Sequence, residues 1–407
     1  MRDYCFEDII RVVKRERNVN RKFLFLNLLQ GKYVPSNPKE TLELFETLGR
    51  KLAEKYDEKQ ICVIGFAETA TAVAAAVAGC FCKNVYFLHT TREELPKEYF
   101  VTEFQEEHSH AKRHRLYCKN KELLQRSDVL ILIDDEFTTG KTVCNFVKSL
   151  RENHWIGVQC KVIAASLINC MKEEHLQRFV HEKIEYEYLL RKDADWEKVE
   201  WKSNGKWINI EESCGEKRKI YLGEEQGFSF YKTYNKQESD FNMQSRKSFD
   251  VIRLSGKLNP RLGVCQSEYQ NVCEKLALNI MEQLQIERNK TEEILLLGTE
   301  ECMYPIIYAA DRIQKMYPKK QCYVHATSRS PIAALKEHGY PIYSRDKVVS
   351  FYEKGREVFL YNLRQYDQVV ILTDAEKITE EAKYSIETVM ENYGNINWKL
   401  LQWLECV

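Results

Sequence analysis

The stretch Val129 to Thr142, V-L-I-L-I-D-D-E-F-T-T-G-K-T, restricts the chain to few folds. Five consecutive aliphatic residues, Val129 to Ile133, are too few for a buried helix, and their β-branched content fits a strand covered on both faces. Such a strand belongs in the middle of a parallel sheet. Asp134 and Asp135 follow at once, then a hydroxyl-rich turn (Thr138, Thr139, Gly140), then Lys141 and Thr142 leading into helical apolar spacing. The amides and the positive dipole end at a helix start favour an anion, and Gly140 lets the backbone approach it. The G-K-T ending matches the close of a Walker A loop, but that motif needs glycine where Asp135 stands, and a carboxylate there repels a triphosphate. Two acids beside a phosphate cradle suit a sugar phosphate. Carboxylates accept hydrogen bonds from paired ribose hydroxyls while the loop amides hold the 5′-phosphate. An ordinary strand-to-helix turn is the plain alternative.

The pattern recurs along the chain. Ile61 to Ile64 reads as another buried strand, followed by a loop of Gly65, Phe66, Ala67, Glu68 and Thr69 and an alanine-rich helix. A strand over 84–88 runs into His89-Thr90-Thr91-Arg92. This places Arg92 at the carboxyl end of a parallel strand, where open α/β sheets bind ligands, and its planar fork suits phosphate oxygens. A surface salt bridge is the alternative. Later, 293–297 leads into Gly298-Thr299-Glu300-Glu301, a second strand ends in Ser328-Arg329-Ser330-Pro331, and a third ends in Asp374. Gly298 stands 233 positions after Gly65, Arg329 237 after Arg92, and Asp374 240 after Asp134. So regular a spacing predicts a second, degenerate copy of the first unit. The copy has Ala375 for Asp135, and Glu380, Glu381 and Ala382 for Gly140, Lys141 and Thr142, which sets carboxylates where a phosphate would sit. Gly298, Glu300, Ser328, Arg329 and Ser330 are then either a pocket for another anion or partner, or packing against the first unit.

The expected architecture is α/β, with two tandem doubly wound parallel-sheet domains. The first spans 1–235, with a polar loop over 99–117 and a charged, aromatic insert over 171–235. A linker at 236–248 leads to the second domain at 249–407. The loop carries Glu107, His108 and His110; with His114 these could also hold a metal. At 407 residues two cores are expected. The 61 basic and 61 acidic residues call for neither nucleic acid nor an anionic membrane. The acidic start and the lack of a long apolar run predict a cytoplasmic protein. Fourteen scattered cysteines without a C-x-x-C pair predict reduced thiols, and the single C-x-C, Cys80 and Cys82, is a weak metal signal.

The Asp134 loop resembles the phosphoribosyl-pyrophosphate (PRPP) loop of type I phosphoribosyltransferases. The whole chain is similar to an orotate phosphoribosyltransferase-like domain followed by a TRSP domain. The residues carrying this are N-L-L-Q-G-K-Y-V-P (27–35), G-F-A-E-T-A-T-A (65–72), T-T-R-E (90–93), E-E-H-S-H-A (106–111), D-D-E-F-T-T-G-K-T (134–142) and S-R-S-P (328–331), where Ser328 replaces the first threonine of the name motif. The resemblance implies PRPP and a small-molecule acceptor as ligands, with Mg²⁺ held mainly through the substrate. It assigns Asp134 and Asp135 to the ribose hydroxyls, Thr138 to Thr142 to the 5′-phosphate, and Gly65 to Thr69 with Arg92 to the diphosphate. It makes 99–117 a loop that closes the site, with Glu107, His108 and His110 near the reacting centre. It also implies a tellurium-resistance or stress setting. A PRPP-sensing regulator without turnover, and the reverse reaction releasing ribose phosphate from a nucleotide, are the other readings; a homodimer is left open.

Overall fold

The computed structural model describes residues 3–16, 23–56, 60–82, 85–104, 114–192, 199–202, 206–209, 250–284, 286, 287 and 289–406. A short helix α1 (Phe6–Ile9) opens an antiparallel pair, β1 (Ile10–Lys14) with β2 (Phe23–Asn27). Then come α2 (Pro38–Tyr56), β3 (Ile61–Gly65), α3 (Ala70–Ala78), β4 (Val85–His89), a hairpin of β5 (Phe100–Phe104) and β6 (His114–Tyr117), α4 (Lys121–Gln125), β7 (Val129–Phe137), α5 (Lys141–Glu152), β8 (Lys161–Asn169), α6 (Glu173–His181) and β9 (Ile184–Arg191). A separate hairpin joins β10 (Val199–Lys202) to β11 (Lys206–Asn209). The second half holds β12 (Val251–Leu254), β13 (Val264–Cys265), α7 (Gln266–Leu284), β14 (Glu292–Gly298), α8 (Tyr304–Met316), β15 (Lys320–Ala326), a hairpin of β16 (Arg345–Val349) and β17 (Glu357–Tyr361), β18 (Gln368–Thr373), α9 (Glu380–Asn392) and β19 (Trp398–Trp403).

The two sheets share one plan. The first runs β4-β3-β7-β8-β9 and the second β15-β14-β18-β19-β12, with every one of these neighbours parallel. The fifth place is filled from the end of the first half but from the start of the second. Each half also carries an antiparallel hairpin, and α2 and α7 are both 19 residues long.

The halves exchange edges. Val264 and Cys265 of β13 pair antiparallel with Phe87 and Tyr86, so the second half extends the first sheet. In return Ser36 bridges Val324 of β15, with N···O distances of 3.0 and 2.9 Å in the two directions. Between the sheets lies a single apolar core built from α2, α3, α7 and α8, including Phe45, Leu48, Val73, Leu276, Ile280, Ile306 and Ile307. Every residue of α3 is buried; alanines let it lie against β3, β4 and β7 on one side and α2 and α8 on the other. The opposite faces are covered by α5 and α6 in the first half and by α9 in the second.

Three sequence expectations change. Strand β7 does not stop at Ile133; it carries both acids and ends at Phe137, because the equally long β8 pairs with it as far as Asn169. The stretch 171–191 is no insert, since it supplies α6 and the edge strand β9. That strand reads as polar because only Ile184, Glu187 and Leu190 are buried along it, and one of these three is itself a carboxylate. The ends of the 99–117 loop are strands β5 and β6; its middle, with Glu107, His108 and His110, lies outside the described residues, as does the whole 236–248 linker. The described cysteines are all free thiols, and no described helix is long and apolar enough to cross a membrane.

Candidate active site

Gly65 lies opposite Ile133 in the parallel register of β3 and β7. The loops that leave these adjacent strands are therefore neighbours at the carboxyl edge of the sheet. On the β7 side Asp134 and Asp135 are half-buried, and the Asp135 amide donates to Asp134 Oδ1 at 2.9 Å. Gly140 has φ of 65° and begins α5. A Cβ there would stand 2.5 Å from Phe179 Cε1 and 2.8 Å from Met171 Sδ, so both backbone and packing require glycine. Thr139 Oγ1 accepts from the Lys141 amide at 3.4 Å, and Lys141 and Thr142 form the first turn of the helix. The Lys141 side chain also lines a cavity of about 440 Å³ between α5 and α6, with Lys148, Arg178 and His181.

The β3 loop is tied down from within. The Phe66 amide donates to Ile133 O at 2.9 Å and the Ala67 amide to Thr90 Oγ1 at 2.8 Å. The Phe66 ring packs on Phe104 and Phe146 in the core. These two residues thus build the loop, with side chain and amide turned away from any ligand. The Ala67–Glu68 peptide is cis. The Glu68 carboxylate is buried between the Lys32 ammonium and the Arg329 guanidinium, the latter at 3.3 Å. Burial alone would raise its pKa, but Lys32 and Arg329 outweigh it and the carboxyl stays below its usual range. Thr69 precedes the first turn of α3, where Thr71 Oγ1 lies 3.1 Å from Glu68 O and 3.2 Å from Glu301 O.

Arg92 is set by the hairpin. Its Nε and Nη2 lie 3.3 and 3.2 Å from His114 Nε2, which must carry the lone pair for the guanidinium to donate. The buried His114 ring stacks on Phe104, so Arg92 is linked to the strand that leaves the 105–113 segment. Glu107, His108 and His110 are not among the described residues, and no geometry brings them to Arg92 here.

The second half reaches into this site. Arg329 places Nε 2.5 Å from Glu300 and Nη2 2.6 Å from Glu93 of the first half; Arg356 meets the same two carboxylates at 2.8 and 2.9 Å. Ser350 Oγ donates to Glu300 at 2.5 Å. Tyr33, from the 27–35 motif, is pushed up to about 12 by burial and by the charges of Asp135 and Glu68, and it faces Ser330 and Ser328. The Ser-Arg-Ser loop of one half and the acids of the other therefore meet in one charged cluster. The expected second-domain residues are brought together, but around carboxylates of both halves.

The second half's own counterpart is closed by side chains. Arg261 spans Glu301 (2.8 Å) and Asp374 (2.5 Å), Lys257 lies 3.5 Å from Asp374, and the Tyr352 ring covers the guanidinium with its hydroxyl 2.6 Å from Asp374. Burial would raise Glu301; Arg261 and then Arg329 bring it down to about 2 instead. Asp374 is held far below its ordinary range despite burial, by Arg261 and Lys257. Lys32, Tyr33, Glu93, Arg261 and Arg356 had no role in the sequence reading. Lys32 and Tyr33 sit in a quoted motif, whereas Arg261 lies in a loop with no pattern to mark it.

Residues 10–191 match the family model described as phosphoribosyl transferase, and residues 259–389 match the TRSP domain described as C-terminal to it. No curated protein matches the chain. Among solved structures, adenine phosphoribosyltransferase from Trypanosoma brucei is 10% identical over 46% of this chain and 77% of its own, with a TM-score of 0.35. The Rhodothermus marinus adenine enzyme is 16% identical over 46% and 96%, at 0.33. Orotate phosphoribosyltransferase from Aeropyrum pernix is 14% identical over 38% and 72%, at 0.25. With both family models in sequence along most of its length, the chain belongs to the phosphoribosyltransferases that carry a TRSP domain behind the transferase domain.

Proposed function

We propose that the protein transfers ribose 5-phosphate from PRPP to a base-like acceptor with Mg²⁺. The observation that carries this reading is the juxtaposition at the ends of β3 and β7: a glycine-started helix and two acids on one strand, and a loop that opens at Gly65 and leads into a helix on its neighbour. In the reaction the bond from ribose C1 to the diphosphate oxygen breaks, positive charge builds on the sugar, and the electron pair leaves with the diphosphate. Asp134 and Asp135 would accept hydrogen bonds from the ribose hydroxyls, and the Thr138 to Thr142 turn would bind the 5′-phosphate. The Gly65 to Thr69 loop, with Phe66 and Ala67 serving as its internal frame, and Arg92 would border the diphosphate. Mg²⁺ would be held mainly through the substrate's own oxygens, a hard-donor setting with which the half-buried carboxylates Asp134 and Asp135 are compatible, and would neutralise charge on the leaving group. By the resemblance, the 99–117 loop, whose middle lies outside the described residues, would close over the site and exclude water. A cytoplasmic role in tellurium or stress resistance follows the resemblance, and tellurite sensitivity of a deletion strain checks it.

Titration of PRPP with and without Mg²⁺ tests the core of the reading. Magnesium-dependent binding at one site per chain is the expected result. The double variant Asp134→Asn, Asp135→Asn should lose that binding with its fold intact; unchanged affinity in the folded variant would refute the assignment.

A further inference from the structure

Glu68 and Glu301 stand at the same place in the two halves, three residues after the glycines that end β3 and β14, but they are held differently. Glu301 is built in. Its oxygens receive Thr91 Oγ1 at 3.0 and 2.8 Å, the Arg92 amide at 3.3 Å and Arg261 Nε at 2.8 Å. The Glu68 side chain is also largely shielded from solvent, yet among the described residues neither of its oxygens has a well-formed hydrogen bond. It is held by the charges of Lys32 and Arg329, with Arg92 a smaller, more distant contribution. A carboxylate fixed by hydroxyl and amide donors cannot be exchanged without orphaning those donors, whereas one fixed only by cations can be replaced by another anion.

The two cations are firmly set without it. Lys32 is fully buried and its ammonium donates to Glu300 O at 2.8 Å. Arg329 is anchored by Glu300 and Glu93, with Arg356 behind them. Removing the Glu68 carboxylate would leave both cations in place beside the β3 loop, at the spacing of one bridging anion.

Building on the cleft reading given above, we propose that Lys32 and Arg329 form the cationic wall of the diphosphate site, that Arg329 is lent to it by the second domain, and that Glu68 fills the anion's place until a diphosphate displaces it. The second domain thereby completes the active site of the first. A diphosphate supplies oxygens to both cations through charge-assisted bonds, for which the guanidinium fork is suited. Glu68 competes with it for the same two partners.

The test uses the full chain and two probes, inorganic pyrophosphate with Mg²⁺ and ribose 5-phosphate, titrated separately. Glu68→Gln removes the competing charge and should tighten pyrophosphate by about fivefold or more, and Arg329→Met should weaken it by about tenfold or more. Both variants should leave ribose 5-phosphate within about twofold, because that ligand engages the β7 loop. Arg329→Lys, which keeps a charge against Glu93 and Glu300, should fall between wild type and Arg329→Met. Wild-type protein that binds both probes, with Glu68→Gln no tighter for pyrophosphate, overturns the exchange. Equal losses for both probes in Arg329→Met reduce Arg329 to a structural role and overturn the proposal too. Wild-type protein that binds neither probe overturns the reading of the cleft itself.

Discussion

Replacing Arg261 by methionine would strip two buried carboxylates of their shared cation. Arg261 is 5% exposed, with Glu301 and Asp374 both within 2.8 Å of its nitrogens. Glu301 is brought from its ordinary 4.5 down to about 2, against the burial that would raise it. A carboxyl lowered that far stabilises the folded state by about 3 kcal/mol at neutral pH. Arg261 is the largest of the groups that lower Glu301, ahead of Arg329, and removing one partner of a buried pair costs about 3–5 kcal/mol in general. The sign of the pH dependence follows. In the wild type this stabilisation is present above the unfolded carboxyl value and is lost as pH falls from 4.5 through about 2. In the variant the same carboxyls, buried without their cation, take up protons at higher pH and relieve the damage. The stability gap between the two proteins should be about 3–5 kcal/mol at pH 7 and clearly smaller at about pH 4. Urea denaturation at both pH values measures it. A variant within about 1 kcal/mol of wild type at pH 7, or a gap that does not narrow with acid, would refute the argument that this cluster holds the second half together.

Gly140→Ala places a methyl against Phe179 and Met171 at a positive φ; it should cost about 2–4 kcal/mol and weaken ribose 5-phosphate binding, read by denaturation and titration. Gly263→Ala, where φ is 87° and a Cβ would meet Tyr86 Oη at 2.2 Å, should loosen β13 from β4 and raise hydrogen exchange at Phe87. His89 and His325 are pushed down to about 4 by burial, so their imidazole NMR signals should show no titration from pH 8 to about pH 5. Stability drawn from their neutrality is present above 6.5 and is lost as pH falls toward about 4.

What could be read in advance follows from how the information is carried. Runs such as Val129 to Ile133 and 293–297 announce buried parallel strands because both faces need apolar residues, and the sheet places them in the same position in each half. Gly140 was legible because a helix start after two acids has little other use for glycine. Strand β9 was not, since the exposed Glu185 and the buried Glu187, whose partners Lys51 and Lys55 lie on α2, look like insert composition. The role of Arg261 is invisible because Glu301 and Asp374 lie 40 and 113 residues away, and charge pairing over that distance leaves no local pattern. Arg329 was singled out by its motif, but its partner Glu93 belongs to the other half, 236 residues distant. Pairing across the halves is a property of how the two sheets meet.

The exchanged edges also bear on how the chain is made. Strand β4 is complete by His89, but the residues that cover its open side, Val264 and Cys265, lie far downstream. At about 5–20 residues per second, roughly 10–40 s separate the two during synthesis. For that time the nascent first sheet presents an unpaired edge, the feature through which chains stick to one another. The protein should therefore depend on chaperone holding while it is translated, and slow translation over the intervening stretch should lower its soluble yield although the finished molecule is unchanged.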